Sequence, residues 1–197
     1  MRSSDLHHGV SHVQYEWTQM ASCAARLEQV DRVRTPEENT TLEALLLHGR
    51  CLINFVCGDY RGRWRATDMK PADFLRTSWI LPDEEMDRRL RGRLPVINRS
   101  LTHLSWERIT DPEGVMWPTG LVAHEVHWTL HQFVMEVDRT DRGLSDLWRA
   151  AAAEADRWMP PRRTDWAELR GFGPAPKREG RPVEPIAIED SDDEENG

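Results

Sequence analysis

The stretch Thr35-Pro-Glu-Glu-Asn-Thr-Thr-Leu-Glu-Ala-Leu-Leu-Leu-His-Gly-Arg-Cys-Leu-Ile-Asn-Phe-Val-Cys-Gly58 decides the fold. Thr35 is an N-cap residue type, Pro36 suits the first helical position, and Glu38 stands where its carboxylate reaches back to the cap in a capping box. Leu42, Leu45, Leu46, Gly49, Leu52, Ile53 and Val56 recur at spacings of three and four and so share one face, and Gly58 is a natural stop. Upstream, Val13, Trp17, Met20, Ala24 and Leu27 repeat in the same way, predicting an amphipathic helix after a flexible lead-in over residues 1–10. Downstream, Gly58, Gly62, Pro71 and Pro82 punctuate an irregular segment with room for one helical turn at Pro71–Leu75. A charged helix from Pro82 to Arg93 then meets Pro95, which is expected to start a new helix or kink one, because proline removes a bond and clashes with the preceding turn. That segment, Val96–Ile109, packs through Ile97, Leu101 and Leu104. An Asp111–Gly114 turn, a helix around Leu121–Phe133 and a last helix over Ser145–Met159 follow, the last using Leu147, Trp148, Ala151, Ala155 and Trp158 before Pro160-Pro161 ends it. With no strand alternation of useful length, the expectation is an all-α antiparallel bundle of four to five helices over residues 11–160.

The chain of 197 residues is long enough for one hydrophobic core. Residues 161–197 are rich in Pro, Gly and charge, and are expected to form a mostly disordered acidic tail. The formal charge is −8, and six acids lie in the last nine residues, so the remainder carries only −2. There is no global basic field, and nucleic-acid binding would need a local cluster. Cys23, Cys51 and Cys57 are odd in number and lack paired metal spacing; they are expected to be small buried residues in a reducing, cytoplasmic setting. No stretch approaches the length of an apolar membrane span. Nine Trp fall at irregular intervals, which argues against a repeat architecture and for core and seam positions. Neither a G-x-S-x-G elbow nor a phosphate-cradling glycine loop is present, and no cofactor is expected.

Two groups of polar residues carry candidate chemistry. At about 100° per residue, His124, His127 and His131 fall within an arc of about 60°, beside an apolar stripe of Val122, Val126, Leu130, Phe133, Val134 and Val137. His127 and His131 have the spacing of a helical metal pair, but Trp128 stands where a zinc protease has its glutamate. Three histidines on successive turns span about 10 Å, too far to converge on one ion. A metal site would therefore need His48 or Glu107 from facing helices, and would resemble the helical-bundle metal proteins of the DinB superfamily. The alternative is a polar border to the packed stripe.

The second group is Ile97-Asn-Arg-Ser-Leu-Thr-His103, where Arg99 and His103 stand at i and i+4 with Trp106 on the same side. An arginine lowers the pKa of a neighbouring imidazole, and the combination suits phosphodiester chemistry: neutral His takes a ribose hydroxyl proton while guanidinium holds the phosphate. A helical bundle with an Arg and a His near the start of a late helix resembles the HEPN superfamily, many of whose members are metal-independent ribonucleases of toxin and defence systems. The resemblance covers residues 11–135 in shape and Arg99 and His103 in motif. Three residues separate that pair, fewer than in the family pattern, whereas counting from Asn98 restores the family spacing. It implies catalytic roles for Arg99 and His103, RNA as substrate and a homodimer. On the preceding helix, Arg50 and Asn54 lie one turn apart off the apolar stripe and would face this pair if the helices pack as neighbours. The competing reading is a non-catalytic module that binds a protein partner through a Trp-lined face. The tail segment Pro185-Ile-Ala-Ile-Glu-Asp-Ser-Asp-Asp-Glu-Glu195 is similar to SUMO-interacting motifs, which would make it a strand-adding segment for a partner.

Overall fold

A computed structural model describes residues 3–28, 35–102, 119–140 and 143–161. Within them five α-helices form an antiparallel bundle and there is no strand: α1 (Ser3–Leu27), α2 (Pro36–Cys57), α3 (Glu84–Thr102), α4 (Thr119–Thr140) and α5 (Ser145–Asp156), with a 3-10 turn at Pro71–Asp73 between α2 and α3. Among the described residues no helix is long and apolar enough to cross a membrane.

The capping box forms as the sequence predicts: the Glu38 N–H donates to Thr35 Oγ1 at 3.1 Å, and the Thr35 N–H donates to Glu38 Oε2 at 3.0 Å. At the other end of α2, Gly58 adopts φ 77° and ψ −162°, a region open in practice only to glycine. A methyl group there would also meet the Arg63 backbone nitrogen at 2.8 Å. Gly58→Ala is therefore expected to cost about 2 kcal/mol or more, read as a fall in urea midpoint; a change below 0.5 kcal/mol would contradict this account.

Three expectations are corrected. The lead-in over residues 1–10 is helical from Ser3, because the apolar series reaches back through half-buried Leu6 and buried Val10. Gly9 hides that series in the sequence, and it is small for a reason: a Cβ there would meet Phe74 Cζ at 2.8 Å. Secondly, of the two expectations for Pro95, that it starts a new helix is corrected, since α3 runs through it and holds the proline in its interior. Pro95 and Val96 are exposed while Leu90, Leu94 and Ile97 are buried, so the proline ring stands on the side of α3 away from the core. Thirdly, α5 ends at Asp156 and buries Trp148, Ala151 and Ala155 as expected, with Ala152 in addition, but leaves Leu147 and Trp158 exposed.

The core centres on four rings brought from α2, the 3-10 turn, α4 and α5. Phe133 and Phe74 meet Trp148 edge-on at 4.8 and 5.2 Å, and Phe55 meets Phe133 at 5.3 Å. The expected stripe of α4 is buried throughout: Val122, Val126, Leu130, Phe133, Val134 and Val137. Two tryptophans seal the end of α2, where carbonyls lack intrahelical partners: Trp64 Nε1 donates to the Phe55 carbonyl at 3.1 Å and Trp79 Nε1 to the Val56 carbonyl at 2.8 Å. Cys23 and Cys57 are buried, and burial pushes both thiols up, but Cys51 is exposed, contrary to expectation. Between α3 and α4, buried Glu125 holds two guanidinium groups, with Arg89 Nε at 3.2 Å from Oε1 and Arg93 Nε at 3.1 Å from Oε2.

Candidate functional site

The packing of α2 beside α1 and α3 leaves a cleft of about 860 Å³, closed on one side by the loop after Gly58. Its lining includes Arg50 and Asn54 from α2, Asn98 from α3, and Glu16 from α1. Three residues that the sequence marked for binding on two different helices are thus brought together. Arg99 is exposed on the adjoining turn of α3. His103, Trp106 and Glu107 lie outside the described residues, so the second half of the Arg99–His103 pair has no described position.

The loop contributes what the sequence reading passed over. Gly58-Asp-Tyr-Arg-Gly-Arg-Trp-Arg65 interleaves three arginines with two aromatics, and Tyr60, Arg63, Trp64 and Arg65 all line the cleft. The cleft thus gathers Arg50, Arg63 and Arg65 together with the acids Glu16, Asp59 and Asp68. The loop's signal was legible, but the glycines mark the segment as a linker. The loop is fixed by one carboxylate: Asp59 Oδ1 accepts the N–H groups of Arg61 at 2.8 Å and Arg63 at 3.0 Å, and Oδ2 pairs with the Arg63 guanidinium at 3.1 Å. Slight desolvation pushes the Asp59 carboxyl up, but those donors outweigh it and hold it below its ordinary value. A backbone bond from the Asp59 N–H to the Arg63 carbonyl, 2.8 Å, closes the turn.

The acids of the cleft are already engaged. Glu16 meets His48 Nδ1 at 2.7 Å and His12 Nδ1 at 3.8 Å, Asp59 is held as described, and Asp68 accepts the Arg65 N–H at 2.8 Å. No such carboxylate partner stands beside Arg50 among the described residues, which leaves a cation facing the cleft.

The histidines of α4 form a second, separate constellation. His127 and His131, one turn apart, both reach Asp156 at the end of α5, with Nε2 to Oδ1 distances of 3.1 and 2.9 Å. His124 stays outside, its ring 6.5 Å from that of His127, and His48 is committed to Glu16 instead. The ligand-type atoms of His127, His131 and Asp156 lie within 4.8 Å of one another, close enough for a metal ion to draw together. The hydrogen bonding points elsewhere. Fully buried Trp17 Nε1 donates to His127 Nδ1 at 3.0 Å, so Nδ1 carries the lone pair and Nε2 the proton, which goes to Asp156. Ligation through His127 Nε2 would move that proton to Nδ1 and set two N–H donors face to face. As arranged, the group shares protons between α1, α4 and α5. Burial first, then the neighbouring His131, with a smaller effect of His124, pulls the His127 imidazole down to about 4 against the opposing pull of Asp156. Trp17 and Asp156 were not foreseen, because nothing local in sequence ties either to the histidine helix.

The chain matches no protein-family model, no curated protein and no solved structure.

Proposed function

We propose that this chain is an RNA-binding helical bundle of HEPN-like type, in which the cleft between α1, α2, α3 and the 58–65 loop receives the phosphodiester backbone and Arg99 and His103 cut it. The observation that supports this reading is the convergence of Arg50, Asn54 and Asn98 with a basic and aromatic loop at one cleft. In the reaction, neutral His103 accepts the proton of a ribose 2′-hydroxyl, and the oxygen attacks the adjacent phosphorus. The bond to the 5′-oxygen breaks, that oxygen takes a proton from water, and the products are a 2′,3′-cyclic phosphate and a 5′-hydroxyl. Arg99 holds the phosphate and the charge that grows on it. No metal is required by this scheme, and a second copy of the chain would be expected to complete the site.

The test is incubation of end-labelled single-stranded RNA with wild type, Arg99→Ala and His103→Ala proteins of matched thermal stability. Cleavage should fall by about 10²–10⁴-fold in each variant, which is the usual range for loss of an acid–base or charge-stabilising group. Retained cleavage in either variant rejects the nuclease reading. Binding is a separate measurement: Arg50→Ala should weaken RNA binding across sequences and lower the salt dependence by about one counterion.

A second reading, a protein-binding module, draws on the exposure of Trp128 and Met135, seven residues apart on α4. It would be favoured if Trp128→Ala abolished a partner interaction that Arg50→Ala left intact.

A further inference from the structure

We infer that the cleft takes single-stranded RNA, with Tyr60 serving as the platform on which one unpaired base stacks. The inference rests on the reading of the cleft as an RNA site and names the form of RNA that it accepts. Tyr60 lines the cleft beside Arg63 and Arg65, and 52% of its surface is exposed, so the ring is accessible to a ligand in the cleft. The ring is presented from a turn with little freedom to move. Asp59 binds the N–H groups on both sides of Gly62, the Gly62 N–H donates to the Asp59 carbonyl at 2.7 Å, and Trp64 anchors the following residue to the Phe55 carbonyl. Arg61 lies over the Tyr60 ring with its guanidinium carbon 5.0 Å from the centroid. The cation stacks on the ring, and with about half of Tyr60 exposed at the cleft the ring keeps surface on which a planar group can pack.

A base can supply that planar group only when it is unpaired, because the faces of paired bases are stacked within the A-form helix and a protein meets only its grooves and backbone. Stacking on a fixed aromatic beside arginines that track phosphates is the recurring way to hold a single strand without reading its sequence. Arg50, deeper on α2, then takes a phosphate of the same strand. The ligand class is therefore single-stranded RNA, bound with little preference for base identity.

Fluorescence anisotropy of three labelled probes tests this: a mixed-sequence single-stranded RNA, its duplex, and an abasic strand with the same backbone. Wild type should bind the single strand more tightly than either of the others. Tyr60→Ala should weaken single-strand binding by about 5- to 150-fold and leave abasic-strand binding unchanged, while Tyr60→Phe, which keeps the ring, should bind as wild type does. If Tyr60→Ala binds the single strand as well as wild type while Arg50→Ala loses it, the platform is wrong and the RNA site stands. If duplex binds best, the single-strand assignment is overturned. If wild type binds none of the three, both fall together.

Discussion

Glu125→Ala is expected to lower the unfolding free energy by about 3–5 kcal/mol, a fall in Tm of about 10 °C for a domain of this size. Glu125 is 7% exposed and is the shared partner of Arg89 and Arg93. Removing it leaves the mostly buried Arg93 guanidinium against the side of α4 without its acid, while Arg89 keeps Glu85 at 3.7 Å, and the uncompensated charge of Arg93, rather than the attraction lost, sets the size of the effect. Glu125→Gln separates the two contributions: it keeps the volume and an acceptor oxygen but not the charge, and should cost less than Ala while remaining clearly destabilising. The surface pairs Arg139–Glu136 and Arg157–Glu154 provide the contrast, because exposed ion pairs contribute at most about 1 kcal/mol and fade with salt. Chemical denaturation of Glu125→Ala and Glu136→Ala side by side checks the difference. Equal losses in the two would mean that the Glu125 cluster behaves as surface.

Acid should destabilise the bundle through His127 well before the carboxylates titrate. Its imidazole is held near pKa 4 in the fold, against an ordinary value near 6.5. Between those limits the unfolded chain binds the proton and the folded chain does not, so stability rises with pH across this window. The contribution is complete above about pH 6.5 and is lost as pH falls toward 4, amounting to about 3 kcal/mol. Protonation would turn His127 Nδ1 into a donor facing the Trp17 N–H, so the same buried bond that selects the neutral tautomer also penalises the charged one. An NMR titration of the His127 ring should show a midpoint near 4, and Trp17→Phe, which removes the opposing donor, should raise it. A midpoint of 6 or above in the wild type would overturn the account, as would an unchanged stability profile between pH 6.5 and 4 in His127→Gln.

The helices were legible where local chemistry specifies them. Thr35, Pro36, Glu38 and Gly58 mark both ends of α2, and the apolar spacing of α4 identifies the face that the core buries. What escaped the sequence was decided by distant partners. Gly9 reads as the end of a floppy segment until Phe74 is seen to need its space, and Pro95 reads as a boundary until its exposed side is known. At the sites, Arg50 and Asn54 could be selected as off-stripe polar residues and Asn98 through the spacing of the family pattern, and the convergence of the three follows from the packing of α2 beside α3. The loop arginines were hidden by the glycines that present them. Trp17 and Asp156 lie too far in sequence from His127, on either side, for any spacing rule to connect them.

The continuity of α3 has a mechanical consequence. Arg89 and Arg93, anchored on Glu125, and Asn98, in the lining of the cleft with Arg99 beside it, belong to one continuous helix, with Arg93 and Arg99 about 9 Å apart along its axis and Pro95 between them. The ion-pair anchor and one wall of the cleft therefore share a single helix, so a change at Glu125 is expected to reach the placement of Asn98 as well as the stability of the bundle.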